Sequence, residues 1–260
     1  MRTKKDILEW YLDAGVTETI GLSPMNRFNL PQEQTLLKKE IHPDPPIAAT
    51  PPPAPDNLLS DALSRASQAQ NEDELKKLLE NFDGCSLKKT AKSTIFGEGV
   101  PHPDVLFVGE APGADEDRTG RPFVGVSGKL LDKMMHAVGL SREENSYITN
   151  IIPWRPPGNR SPSTAEVSLC LPFVQRHIEL LAPKILVFVG GVAFNALLVR
   201  PETITRARGN WYSYQTPGLS APIPAIAIFH PAFLLRSPGQ KKLAWRDMLV
   251  ISQKLAELKQ

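Results

Sequence analysis

The chain has 260 residues, 41% of them hydrophobic and 22% charged, with a formal net charge of +2, the profile of a globular protein with one core and an appended segment. No apolar run approaches the ~20 residues that a bilayer span needs, and the mixed, acid-containing stretch from Met1 to Ile20 lacks the apolar core of a secretory signal, so a cytoplasmic protein is expected. Two cysteines, Cys85 and Cys170, stand in no CxxC pair, which disfavours a disulfide framework and a zinc site built from cysteine alone.

In chain order, Lys4 to Ala14 carries Ile7, Leu8, Trp10, Tyr11 and Leu12 at the spacing of a short amphipathic helix. From His42 to Pro55, prolines at 43, 45, 46, 51, 52, 53 and 55 fit neither a helix nor a central strand, and this tract reads as a linker or extended arm. Helical spacing returns from Asp56 to Phe82, with Asn71 placed to cap a second helix. The expected division is a helical or extended N-terminal segment, 1–41; a proline-rich linker, 42–56; a helical lead-in, 57–81; and the main domain, 82–260.

In that domain short apolar runs alternate with helical spacing. Val105–Gly109, Tyr147–Ile152, Ile185–Gly190 and Ile223–His230 read as strands. Gly128–Val138, Thr164–Leu181, Val192–Leu198 and Lys241–Leu258 read as helices, with Glu166 placed to support the start of the second. The alternation predicts an α/β fold with a mainly parallel sheet covered on both faces.

Ligands of such sheets bind beyond the carboxyl ends of the strands. Here those ends are Gly109-Glu110-Ala111-Pro112-Gly113, Asn150, Gly190-Gly191 and His230-Pro231. A carboxylate, an amide and an imidazole therefore converge on one rim, which names a site without naming a reaction. Taken singly, Glu110 suits a turn cap, Asn150 a loop brace and His230 a structural position before proline. Asp115, Glu116 and Asp117 compete for the carboxylate role, or simply form a helix start favoured by the helix dipole. GEAPG is not GxGxxG and no Walker-type GxxxxGK run occurs, so dinucleotide and P-loop binding are disfavoured.

The C-terminal stretch is basic: Arg200, Arg206, Arg208, Arg236, Lys241, Lys242, Arg246, Lys254 and Lys259 face only Glu202, Asp247 and Glu257. Such a stretch attracts phosphate or forms solvated helix faces.

Three long motifs add an identity to this site. GEAPGADEDRTGRPFVGVSGKLLD (Gly109 to Asp132), YITNIIPWRPPGNRSP (Tyr147 to Pro162) and HPAFLLRSP (His230 to Pro238) resemble, in order and spacing, the family 4 uracil-DNA glycosylases. The resemblance runs from about Phe82 to the C-terminus. It implies a three-layer αβα domain with a central four-stranded sheet, and a monofunctional DNA repair enzyme that hydrolyses the N-glycosidic bond of uracil to leave an abasic site.

Carried onto this sequence, the resemblance makes Glu110 the motif carboxylate and Gly109, Phe123, Asn150 and His230 the base pocket. Phe123 would stack on uracil, Asn150 would read its edge and His230 would lie near O2. Stacking cannot separate uracil from cytosine. An amide that accepts from N3–H and donates to O4 can, because cytosine presents the opposite pattern. Gly113 leaves space where a larger side chain would screen the uracil C5 position, and Glu116 is a second candidate for that discrimination. Leu234, Leu235 and Arg236 match the loop that enters the duplex, an apolar wedge beside a cation. Arg155 and Arg160, in a proline-stiffened loop, are expected to meet phosphates.

One departure concerns the cofactor. The family carries four cysteines around a four-iron–four-sulfur cluster, and the corresponding positions here read Phe82, Cys85, Trp154 and Cys170. Two aromatic rings cannot bind iron, so no complete cluster is expected; the rings are expected to fill its space. Other readings are an altered-range or slow-turnover glycosylase that holds uracil or abasic DNA tightly, and a non-catalytic DNA-binding protein. The N-terminal segment is either a tether or a dock for a repair or replication partner.

Overall fold

The computed structural model describes residues 56–259, so the expected helix at Lys4–Ala14 and the proline-rich tract lie outside the described residues. Two lead-in helices come first, α1 (Asp56–Gln68) and α2 (Glu72–Glu80). Asn71 caps α2 as expected, its side-chain oxygen accepting from the Glu74 N–H at 2.9 Å. Then follow β1 (Glu98–Gly99), β2 (Val105–Gly109), α3 (Ala114–Thr119), α4 (Val126–His136), β3 (Ser146–Asn150) and α5 (Thr164–Leu181). The remainder is β4 (Ile185–Val189), α6 (Gly191–Leu198), α7 (Ile204–Ala207), β5 (Trp211–Tyr214), β6 (Ile223–Ile228), α8 (Pro231–Arg236) and α9 (Lys241–Leu258). No described helix is long and apolar enough to cross a membrane.

The strands form one sheet in the order β1-β3-β2-β4-β6-β5. Its four central strands are parallel and correspond to the four runs legible in the sequence. The sheet is nevertheless six-stranded, because β1 and β5 add antiparallel edges. Every residue of β2, β3 and β4 is buried, as expected of strands covered on both faces.

Alternate side chains of β2 feed two cores. Leu106 and Val108 join Leu75, Leu79, Phe173 and Phe188 on one face, under α1, α2 and α5. Val105 and Phe107 join Leu131, Met135, Met248 and Ile251 on the other, under α4 and α9. The lead-in helices thus share a core with the main domain. α5 starts at a capping box: the Glu166 N–H donates to Ser163 Oγ at 3.3 Å, and Glu166 Oε2 accepts from the Ser163 N–H at 2.7 Å.

The order places the site. From β2 the chain steps to β3 on one side, then to β4 and β6 on the other, so the switch point lies between the carboxyl ends of β2 and β4. Glu110 follows β2, Asn150 ends β3, Gly190 follows β4 and His230 lies just beyond β6.

Candidate active site

A cavity of about 480 Å³ opens at this rim, and Glu110, Phe123, Asn150, Arg160, His230 and Arg236 all line it. The residues picked out at separate strand ends, and the ring of Phe123, therefore face one space.

Asn150 is 3% exposed. In register beside it on β2 is Gly109. A Cβ at Gly109 would collide with both Asn150 Oδ1 and the Phe123 ring, so amide and ring close over a position that tolerates no side chain. Neither the oxygen nor the nitrogen of the Asn150 amide has a hydrogen-bond partner in the protein. A buried polar group left unpaired costs ~1–3 kcal/mol. Two on one side chain, at a cavity wall, mark a group arranged for a ligand with complementary donor and acceptor.

Phe123 is buried and holds a left-handed backbone, φ +52°. The segment is tied on both sides. Glu116 Oε1 accepts from the Val124 and Gly125 N–H groups, each at 2.9 Å, while Oε2 accepts from Gly113 N–H at 3.1 Å. The carbonyls of Pro122 and Phe123 accept from Arg142 at 2.6 and 2.7 Å. Arg142 was not anticipated; no local motif marks it, and only the fold brings it here.

His230 caps α8, its Nδ1 accepting from the Ala232 N–H at 3.1 Å. That bond assigns the ring proton to Nε2. Burial, helped by the Arg236 cation and opposed by Glu116, pushes the imidazole pKa down to about 4, so the ring is neutral near pH 7. Gly190, at φ +100°, lets the chain pass beside it: a Cβ there would sit 3.3 Å from the His230 Cβ.

The structure separates the competing acids. Asp117 is buried and accepts from the Lys92 and Ser93 N–H groups at 2.8 and 3.1 Å. Asp115 pairs with Arg118 at 2.7 Å on the surface. Glu116 is engaged by backbone as described, and a Cβ on Gly113 would meet its Oε2 at 2.8 Å. The space beside Gly113 is therefore partly taken by that carboxylate. Glu110 remains, with burial raising its carboxyl pKa against a lowering hydrogen bond from Ser161.

The outer residues divide. Arg160 forks onto Glu166 in the first turn of α5 at 2.7 and 2.9 Å, and Arg155 donates to Asn159 Oδ1 within the loop at 2.7 Å, so both are braced by the protein itself. The expected wedge loop needs correcting: its residues 231–236 form α8, and Leu234 is 1% exposed. Leu234 packs with Phe229 and Ala244, because one face of this single helical turn and a half must cover that small core. Leu235, 40% exposed, is the leucine that faces solvent. In the basic C-terminal stretch, Arg200, Arg208, Lys254 and Lys259 are ion-paired. Arg206, Arg236, Lys241, Lys242 and Arg246 form no ion pair among the described residues.

At the four positions that the resemblance assigns to a cluster, Phe82, Cys85, Trp154 and Cys170 are all buried in one core. Phe82 packs against Phe173 with ring centroids 5.2 Å apart, and the Trp154 indole N–H donates to Thr94 Oγ1 at 3.0 Å. The two thiols are neighbours: the hydrogen bond with Cys85, then burial, holds the Cys170 thiol well above its usual pKa. Two thiols and two packed rings do not fit a four-thiolate cluster. Among the described residues no group of three or more His, Cys, Asp or Glu is placed to hold a metal ion.

Comparison with known proteins agrees with this geometry. The sequence profile described as the Uracil DNA glycosylase superfamily matches residues 96–250. The chain is 41% identical over 158 residues to the Type-4 uracil-DNA glycosylase of Archaeoglobus fulgidus, covering 59% of this chain and 78% of that protein. It is 36% identical over 178 residues to the Type-4 uracil-DNA glycosylase of Pyrobaculum aerophilum, covering 67% and 89%. With the Type-5 uracil-DNA glycosylase of the latter organism it shares 30% identity over 173 residues, covering 59% and 74%.

Proposed function

The chain belongs to the uracil DNA glycosylase superfamily, and on that premise we propose that it hydrolyses the N-glycosidic bond of uracil in DNA, releasing the base and leaving an abasic site. The observation that carries this reading is the unpaired Asn150 amide at the wall of the cavity. Its oxygen accepts from uracil N3–H and its nitrogen donates to O4. Cytosine, with a bare N3 and a donor amine, would leave both amide atoms mismatched in a dry site.

The glycosidic bond is shielded while uracil is stacked, so the nucleotide must first leave the helix, at a cost of a few kcal/mol. Phe123 offers the extruded base a flat face worth ~1–3 kcal/mol. Leu235 occupies the vacated stack and Arg236 meets a flanking phosphate.

As the bond breaks, negative charge develops on uracil and positive charge on the sugar. His230, neutral with its proton on Nε2, donates to uracil O2 and stabilises the leaving base, a contribution of ~3–4 kcal/mol for donors of this kind. With a pKa of about 4 the ring carries no second proton near pH 7, so it acts as a neutral hydrogen-bond donor and not as an imidazolium acid that protonates the base. Glu110, as carboxylate, orients the attacking water or stabilises the cationic sugar. No step requires the buried aromatic and thiol core around Phe82, Cys85, Trp154 and Cys170. In our reading the two rings replace the family's cluster as a hydrophobic support for the segment after Asn150.

The test is incubation of the full chain with uracil-containing single- and double-stranded oligonucleotides, followed by alkaline cleavage of abasic sites. Multiple turnovers are expected. A single stoichiometric burst would indicate a protein that retains its product, and no product would leave only DNA binding.

A further inference from the structure

We infer that Arg142 is a positioning residue for uracil excision, holding the Phe123 ring at the base pocket through the backbone on both sides of that residue. The inference rests on the reading of Phe123 as the stacking face.

Arg142 lies in the connection from α4 to β3, and a single-sequence view gives it no task beyond solvated charge. Yet its side chain is 8% exposed. Nη1 donates to the Pro122 carbonyl at 2.6 Å and Nη2 to the Phe123 carbonyl at 2.7 Å. Those carbonyls belong to the two peptide planes that flank the Phe123 α-carbon. In an extended chain successive carbonyls point to opposite sides; here both turn toward one guanidinium, and the residue between them has φ +52°. A left-handed backbone is uncommon and strained for a bulky residue, so something must hold it. The planar fork of arginine suits two neighbouring acceptors, and a lysine ammonium would not reproduce it.

The guanidinium is itself fixed. Nε donates to Asp132 Oδ1 on α4 at 2.9 Å, and Nη1 reaches Glu98 Oε2 on β1 at 3.3 Å. Two carboxylates thus balance a charge that would otherwise be costly to bury. Glu116 holds the N–H groups of Val124 and Gly125 from the other side, so the segment is gripped by an anion on its donors and a cation on its acceptors. Without the cation, the Pro122 and Phe123 carbonyls lose their partner and the strained backbone is free to relax, taking the ring off Gly109 and Asn150.

A double-mutant cycle tests this, with single-turnover uracil release as the readout. Arg142→Gln is expected to lower the rate constant by about tenfold or more, and Phe123→Ala by a similar factor. Combining them should add little to Phe123→Ala alone, because both act through the ring. Multiplying losses, or a wild-type rate in Arg142→Gln, would overturn the inference. Should Arg142→Gln not fold, Arg142→Lys keeps the charge without the fork and is expected to show the same non-additivity. A second readout needs no catalysis: NMR spectra of full-length Arg142→Gln should shift at Phe123, Gly109 and Asn150, and unchanged resonances there would refute the inference. A wild-type protein that released no uracil would instead refute the proposed function, leaving the NMR result to decide this point.

Discussion

The imidazole of His230 lies 5.8 Å from the phenyl ring of Phe123, centroid to centroid, with the planes tilted by 34°. A base sandwiched between two rings needs about 3.5–4 Å on each face, more than this gap supplies. On the proposed reading the two rings therefore address different parts of the base: Phe123 its face, His230 its edge. That division suits a neutral imidazole whose free proton is on Nε2.

Asn150→Asp should lower uracil release by about 100-fold, because a carboxylate repels or fails to donate to O4 where the amide donated. Release of cytosine from the same oligonucleotide context is expected to become detectable. Alkaline cleavage after incubation measures both. An unchanged uracil rate would remove the amide from the recognition scheme.

The acid limb of the excision rate should follow Glu110. Burial raises its pKa, so the carboxylate is lost, and the rate falls, at a pH above the ordinary value of 4.5. Glu110→Gln should lower the plateau and abolish that limb. The same substitution should raise the melting temperature modestly, since it removes a carboxylate that burial disfavours at neutral pH. A single-turnover pH series and thermal melts decide the matter.

His230 predicts a pH dependence of stability. Its folded pKa of about 4 lies below the ordinary histidine value of 6.5, so the unfolded chain binds the proton more readily. The contribution is complete above pH 6.5 and is lost as pH falls toward 4, by at most ~3 kcal/mol. His230→Asn, which keeps a residue able to cap α8, should be less sensitive across that window. Urea melts of both proteins from pH 7 to pH 4 would show the difference; parallel curves would contradict it.

The two leucines of α8 should behave oppositely. Leu234→Ala, in a packed site, should cost about 2–4 kcal/mol of stability. Leu235→Ala should leave stability within about 0.5 kcal/mol yet slow excision from duplex DNA by roughly tenfold, with a smaller effect on single strands, where no stack must be opened. Equal effects on both substrates would argue against a wedge.

Purified full-length protein should contain well under one iron per chain and lack an absorbance band near 400 nm. Near four irons per chain would mean that Phe82 and Trp154 do not occupy the place assigned to them.

The central sheet was legible because Val105–Gly109 and Ile185–Val189 are apolar without interruption, and α5 because of its helical spacing and the placement of Glu166 near its start. The edges were not. β1 is two residues long, and β5 has only Tyr214 fully buried, so neither offers enough period to register. The pocket residues could be read from strand ends and motifs. What holds them could not: Arg142 acts on partners 10 to 44 residues away. Likewise, the Glu116 carboxylate looks like a helix-start acid until the fold brings Val124 and Gly125 to it. Which leucine of α8 turns inward depends on Phe229 and Ala244, which lie outside that helix.

Gly109 limits how this family member can drift. Every missense change of a glycine codon adds at least one carbon, and at this place that carbon meets the amide and the phenyl ring together. A lineage wishing to widen the range of bases it accepts cannot begin here. Its first viable steps lie among neighbours whose side chains already have somewhere to go.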